Sequence, residues 1–221
     1  MFILEIRLDG IKKKYRRDKR ELIVLENLDM YLPEGKFVVI SGDSGVGKST
    51  LLNIISGLSR PTKGKVFYDE KEITGLVDKE LSDIRKKYLG VVTQNCELIP
   101  YLTVLENLKL AYEINKNTKS NDADSRIAFS ELLNDLGLLS LENEFPGNLS
   151  GGEIKRAAIA RALVTNPEVI IMDEPTANLD RQNVTNVLKL LRRYCDLGNL
   201  VVISSHEKEV YNYLDIHKNF D

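Results

Sequence analysis

Short apolar blocks punctuate this chain. Phe37-Val38-Val39-Ile40, Val169-Ile170-Ile171-Met172 and Leu200 to Ile203 contain no polar residue. Blocks of this length, apolar throughout, predict strands buried on both faces of a parallel sheet. Between them the apolar residues fall at helical spacing. Leu51, Leu52, Ile55 and Leu58 form one stripe, and Val184, Val187, Leu188 and Leu191 form another. Gly198 marks the end of the second helix. Buried strands alternating with helices predict an α/β fold with a mainly parallel sheet. At the N-terminus, Phe2, Leu4, Ile6 and Leu8 alternate with Glu5 and Arg7, the pattern of a half-buried strand. A second short strand around Leu22 to Leu25 would pair with it antiparallel, and Pro33-Glu34-Gly35 reads as a turn. From about Leu98 to Val164 helical spacing prevails, which predicts a helical lobe inserted into the core. Asn115 to Ser125 is nearly free of apolar residues and reads as an exposed, mobile loop. Neither repeats nor sustained heptads occur.

Composition narrows the function classes. With 221 residues the chain suits one domain, or one domain with a lobe. An apolar content of 43% supports a real core and argues against intrinsic disorder. The 31 Lys and Arg against 33 Asp and Glu leave a net charge of -2, which argues against bulk electrostatic binding of nucleic acid. No apolar run approaches the roughly 20 residues that span a bilayer. Met1 to Arg7 carries Glu5 inside its apolar stretch and has no cleavage pattern, so a signal peptide is not expected. Cys96 and Cys195 have no metal-ligand spacing and read as reduced thiols. The basic run from Lys12 to Arg20 reads as a solvated hairpin loop, with contact to anionic lipid headgroups as the sharper alternative.

Three stretches carry chemistry. Gly42-Asp43-Ser44-Gly45-Val46-Gly47-Lys48-Ser49-Thr50 fits G-x-x-x-x-G-K-[ST] between a predicted strand and a predicted helix. Its glycines let backbone N–H groups wrap phosphates, and the helix start adds a positive dipole end. Lys48 would reach the β- and γ-phosphates, and Ser49 would ligate Mg²⁺. The strand Val169 to Met172 ends in Asp173 and Glu174. There Asp173 would hold Mg²⁺, and Glu174 would orient the attacking water or take its proton. Two carboxylates beside a triphosphate require a cation between them, so Mg²⁺ is implied with ATP. The third stretch, Leu149-Ser150-Gly151-Gly152-Glu153, leaves two readings open. Ser150 and Glu153 form a capping box that needs no ligand. The paired glycines would also let backbone N–H groups approach an anion.

Together these residues resemble the ATP-binding cassette (ABC) ATPase family. Leu149 to Glu153, followed by Ile154-Lys155-Arg156-Ala157, is similar to the family's signature and precedes Asp173-Glu174 in the family's order. The resemblance runs from Leu4 to about Asp215 and favours the ligand reading of Ser150, Gly151 and Gly152. It implies a P-loop NTPase (RecA-like) α/β core at about 1–94 and 165–221. A small antiparallel β subdomain and a helical subdomain at about 95–164 would complete a single ABC ATPase domain. It also implies further roles. Tyr15 would stack on adenine, Gln94 would contact Mg²⁺ and the attacking water, and His206 would contact the γ-phosphate. Asn178-Leu179-Asp180 would cross a dimer interface. His217 has no such role. Within the family, Ser44 to Asn53, Arg60 to Gly64, Leu102 to Asn107 and Asp173 to Asp180 resemble the short ATPases of macrolide exporters, lipoprotein-releasing complexes and the bacterial cell-division complex.

The resemblance implies an ATP-hydrolysing subunit of a bacterial exporter, peripheral on the cytoplasmic face of the membrane. It would form a head-to-tail ATP sandwich with a second copy of itself or a paralogous cassette and push integral membrane permease subunits. The alternative is a cassette that gates a cell-wall or division complex and moves no substrate. A chromosome- or repair-type ATPase is disfavoured, because Lys48 to Ser150 is compact and lacks heptads. Glu153, Ala177 and Ser205 depart from the family's usual residues without removing a required group. His217 to Asp221 replace the usual closing pattern. That puts the final strand in question and leaves no room for a C-terminal regulatory domain.

Overall fold

A computed structural model describes residues 4–17, 20–115 and 122–220. Two sheets organise them. Strands β1 (Ile6–Arg17), β2 (Arg20–Leu32), β4 (Lys63–Tyr68) and β5 (Lys71–Glu72) form an antiparallel sheet in the order β2-β1-β4-β5. Strands β3 (Phe37–Ser41), β6 (Leu89–Val92), β7 (Val169–Asp173), β8 (Leu200–Ser204) and β9 (Ile216–Asn219) form a parallel sheet in the order β6-β7-β8-β3-β9. The helices are α1 (Lys48–Ile55), α2 (Asp78–Tyr88), α3 (Val104–Asn115), α4 (Asp122–Asp135), α5 (Gly151–Leu163) and α6 (Arg181–Asp196).

The uninterrupted apolar runs have a direct cause in this layering. Every residue of β3, β7 and β8 is buried. Successive side chains point to opposite faces of a strand, so each strand feeds two cores. Val38, Ile40, Ile171 and Val202 pack with α1 and the antiparallel sheet through Leu51, Ile55, Ile6 and Leu8. Phe37, Val39, Ile170, Met172, Val201 and Ile203 pack on the other face with Leu108, Ile159, Leu163, Val187 and Leu191. The stripe Val184, Val187, Leu188 and Leu191 is buried on α6, and Gly198 follows that helix with φ of 99°.

Several expectations are corrected. Leu58 lies beyond α1 and is exposed, because the helix ends at Ile55. The N-terminal pair is much longer than a short alternation suggests. The basic run is mostly strand rather than loop: Lys12 to Arg17 belong to β1 and Arg20 opens β2. Its lysines are engaged locally. Lys12 pairs with Glu26 at 2.5 Å, Lys14 with Glu21 at 2.7 Å, and Lys13 donates to Ser59 Oγ and the Arg60 carbonyl. Asp122 to Ser125 are helical in α4, while 116–121 lie outside the described residues. Finally, β9 is a regular strand paired with β3 in parallel register. Polar His217, Lys218 and Asn219 conceal it in the sequence, because β9 is an edge strand with an exposed face. Both cysteines are buried and free, and burial pushes the Cys195 thiol up to about 11.

Candidate nucleotide site

The phosphate-loop residues follow β3 directly. Gly47 caps α1 with φ of 115°, in the left-handed region open to glycine. A Cβ there would sit 2.8 Å from Val24 Cγ1 and 3.1 Å from the Val24 carbonyl oxygen, so β2 closes one wall of the loop. At Gly45, φ is 86° and a Cβ would point into open space. Lys48 is buried, and its ammonium donates to the Gly42 carbonyl at 2.6 Å and the Asp43 carbonyl at 2.9 Å. An ammonium has three donors, and these two carbonyls bear no formal charge. The first turn of α1 contains no acidic side chain, so its positive dipole end is not neutralised locally. These features fit a polyphosphate.

Ser44, Gly45, Gly47, Lys48, Ser49, Thr50, Gln94 and Glu174, with Val24, line one cleft of about 360 Å³. Tyr15 borders it, its hydroxyl 3.5 Å from Thr50 Oγ1 and its ring about half exposed. Lys13 Nζ lies 5.1 Å from that ring's centroid. Behind the cleft, β7 ends in buried Asp173. Ser204 Oγ, at the end of β8, donates to Asp173 Oδ1 at 2.5 Å and accepts the Glu174 N–H at 2.8 Å. Lys155 on α5 donates to the carbonyls of Glu174 and Ala177 at 3.0 and 2.8 Å. Glu174 itself has φ of 49°, a costly conformation for a residue with a Cβ. Its N–H and C=O are each held from a different element, which fixes that conformation. His206 Nε2 lies 3.4 Å from Glu174 Oε1.

Ser204 and Lys155 are partners of Asp173 and Glu174 that sequence reasoning missed. Ser204 ends an apolar strand beside the acidic one, a position that signals the site edge. Lys155 gives no local signal, because its partners are backbone carbonyls on another element. Among the described residues, no three His, Cys, Asp or Glu gather into a metal-binding group. A cation at this edge would use one carboxylate, Asp173, with hydroxyl, amide and phosphate oxygens. That ligand set suits Mg²⁺.

Ser150, Gly151, Gly152 and Asp180 do not line this cleft. Ser150 caps α5: its backbone N–H and its hydroxyl each donate to Glu153 Oε2 at 2.7 Å. Those two bonds hold the Glu153 carboxyl below its ordinary pKa. Asp180 caps α6 through the Asn183 N–H at 3.0 Å, which lowers its pKa likewise. A Cβ on Gly152 would lie 3.2 Å from Leu179 Cδ2, so the two helix starts are neighbours. The candidate residues thus fall into two groups on one chain, one around the cleft and one beside the α5 start.

The ABC transporter family model matches residues 25–177, more than half of the chain. The chain belongs to the ABC transporter family. The cassette is 39% identical over 211 residues to the lipoprotein-releasing system ATP-binding protein LolD of Syntrophotalea carbinolica, covering 95% of this chain and 92% of that protein. It is 36% identical over 205 residues to the cell division ATP-binding protein FtsE of Bacillus subtilis, covering 91% and 87%. The dimeric post-hydrolysis state of the ATP-binding cassette MJ0796, bound to ADP and Pi, superposes with a TM-score of 0.92. That match is at 36% identity over 97% of this chain and 93% of that one. The cassette is an ATP-binding, ATP-hydrolysing domain with the fold the motifs imply. No helix among the described residues is long and apolar enough to cross a membrane.

Proposed function

We propose that this cassette is the peripheral ATPase subunit of an exporter, working on the cytoplasmic face of a membrane through separate permease subunits. The observation that carries the proposal is the split of its polar residues. One chain gathers Lys48, Gln94 and Glu174 in a cleft, while Ser150, Gly151 and Gly152 lie elsewhere with their own cap. A head-to-tail dimer with a second copy, or with a paralogous cassette, would bring the second group over ATP held by the first. In that role Asp180 belongs to the contact between subunits.

Each residue then has a task. The backbone N–H groups from Gly42 to Thr50 wrap the phosphates, Lys48 neutralises the β- and γ-oxygens, and Tyr15 stacks on adenine. Ser49, Gln94 and Asp173 would hold Mg²⁺, which would balance the phosphate charge that Asp173 and Glu174 would otherwise repel. Glu174, with its backbone fixed by Ser204 and Lys155, accepts a proton from water. The water oxygen bonds to the γ-phosphorus as the bond to the β–γ bridging oxygen breaks, leaving ADP and phosphate. His206 holds the γ-phosphate and the Glu174 carboxylate in one geometry. In this reading the helical subdomain that moves on closure spans about 95–164, and the core about 1–94 and 165–221.

Likeness to LolD supports export, and likeness to FtsE supports a second reading in which the cycle gates a division or cell-wall complex. The co-purifying membrane subunit separates them: a large extracellular domain without a translocation path favours gating. Hydrolysis of Mg²⁺-ATP by the wild type, abolished in Glu174→Gln with ATP binding retained, tests the enzymatic core of the proposal. A Glu174→Gln variant that hydrolyses as fast as the wild type would overturn it.

A further inference from the structure

The last strand does more than complete the sheet. Both ends of β3, which delivers the phosphate loop, are tied to residues 215–220. At its start, the Phe37 N–H donates to Asp215 Oδ2 at 2.8 Å and the Phe37 carbonyl accepts the Asp215 N–H at 2.8 Å. Arg192 on α6 holds that carboxylate at 2.8 Å. At its end, the Ser41 carbonyl accepts the Phe220 N–H at 3.0 Å, and Ser41 pairs in register with Asn219.

Ser41 is the one polar residue of β3 and is buried. Its hydroxyl donates to Asn219 Oδ1 at 3.1 Å and lies 2.7 Å from His217 Nε2. The Ser41 hydroxyl thus bridges Asn219 and His217. The Tyr211 ring packs edge-on against the imidazole, with centroids 5.0 Å apart, and its hydroxyl lies 3.3 Å from the same nitrogen. The next residue after Ser41 is Gly42, whose carbonyl holds the Lys48 ammonium at 2.6 Å.

From this chain of contacts we infer that His217 and Asn219 are positioning residues for nucleotide binding. They orient Ser41, Ser41 sets the entry of the phosphate loop, and the loop sets Lys48. Neither residue lines the cleft, so the effect falls on ATP affinity rather than on the chemical step.

The inference rests on the nucleotide reading of the cleft, and the test separates the two. His217→Phe keeps a ring against Tyr211 but cannot hydrogen-bond Ser41, whereas His217→Gln retains a side chain that can. Steady-state KM and kcat for Mg²⁺-ATP, equilibrium ATP binding and thermal melting are measured for both variants, for Ser41→Ala and for the Ser41→Ala/His217→Phe double variant. His217→Phe should raise KM about fivefold, the worth of one hydrogen bond of about 1 kcal/mol, with kcat within about twofold. His217→Gln should recover most of the affinity. The double variant should bind no more weakly than Ser41→Ala alone. An unchanged KM in His217→Phe, equal losses in Phe and Gln, or additive losses in the double variant overturns the inference. A wild type that binds no ATP overturns the nucleotide reading instead.

Discussion

Glu174 is a carboxylate held by its backbone. Its left-handed φ is costly, and Ser204 and Lys155 hold the two peptide groups that would otherwise relax. Lys155→Met removes two charge-assisted bonds to carbonyls without touching the cleft. Hydrolysis should fall about tenfold, the rate equivalent of about 1.4 kcal/mol, with ATP affinity unchanged in equilibrium binding. Equal loss of affinity would show that Lys155 serves the nucleotide directly. Gly47 makes the complementary case. Gly47→Ala places a methyl group 2.8 Å from Val24 Cγ1 at φ of 115°, so melting should report a loss of about 1–3 kcal/mol and ATP binding should weaken. At this scale the sequence was informative wherever a motif spans consecutive residues, as in Gly42 to Thr50. It was silent where a partner comes from another element: Lys155 and the Ser41–His217 contact have no local spacing to read, and Ser204 shows only as the polar end of an apolar strand.

Elements explain the two readings of Ser150. The capping box is formed, with the Ser150 hydroxyl given to Glu153, so that hydroxyl must leave Glu153 to meet an incoming phosphate. Glu153 and Asp180 both have folded pKa values below their ordinary ones. A depressed folded pKa contributes stability that is fully present above the ordinary carboxylate value. That stability is lost as pH falls from there through the lowered one. The starts of α5 and α6 should therefore loosen only at acid pH, beginning where free Asp and Glu titrate and finishing below that range. Carboxyl-detected NMR titration checks this, and Ser150→Ala should move Glu153 back up toward the ordinary range. A Glu153 value unmoved by that change would contradict the cap as its cause. Fully buried strands such as β7 and β8 were legible because both faces are apolar. Strand β9 was not, since an edge strand with polar His217, Lys218 and Asn219 imitates a tail. Strands β4 and β5 were hidden because few of their residues are buried: only Val66 and Tyr68 in β4, and none in β5.

At the scale of the molecule, the parallel sheet sets the phosphate loop at the end of β3 and Asp173 and Glu174 at the end of β7, on either side of β8; crevices at strand ends of open α/β sheets bind ligands. The same architecture leaves Ser150 and Asp180 on a separate patch at two adjacent helix starts. In the proposed head-to-tail dimer, that separation would give the chain half of each of two composite sites. No property of a single sequence window reveals this, because it depends on where α5 begins relative to the cleft. The most direct test is the oligomeric state of Glu174→Gln in Mg²⁺-ATP, read by size exclusion with light scattering. The account predicts a dimer that forms with ATP, is absent with ADP, and is lost when Ser150→Phe blocks the α5 start. A variant that binds ATP yet stays monomeric, alone and with every co-purifying cassette, would contradict it.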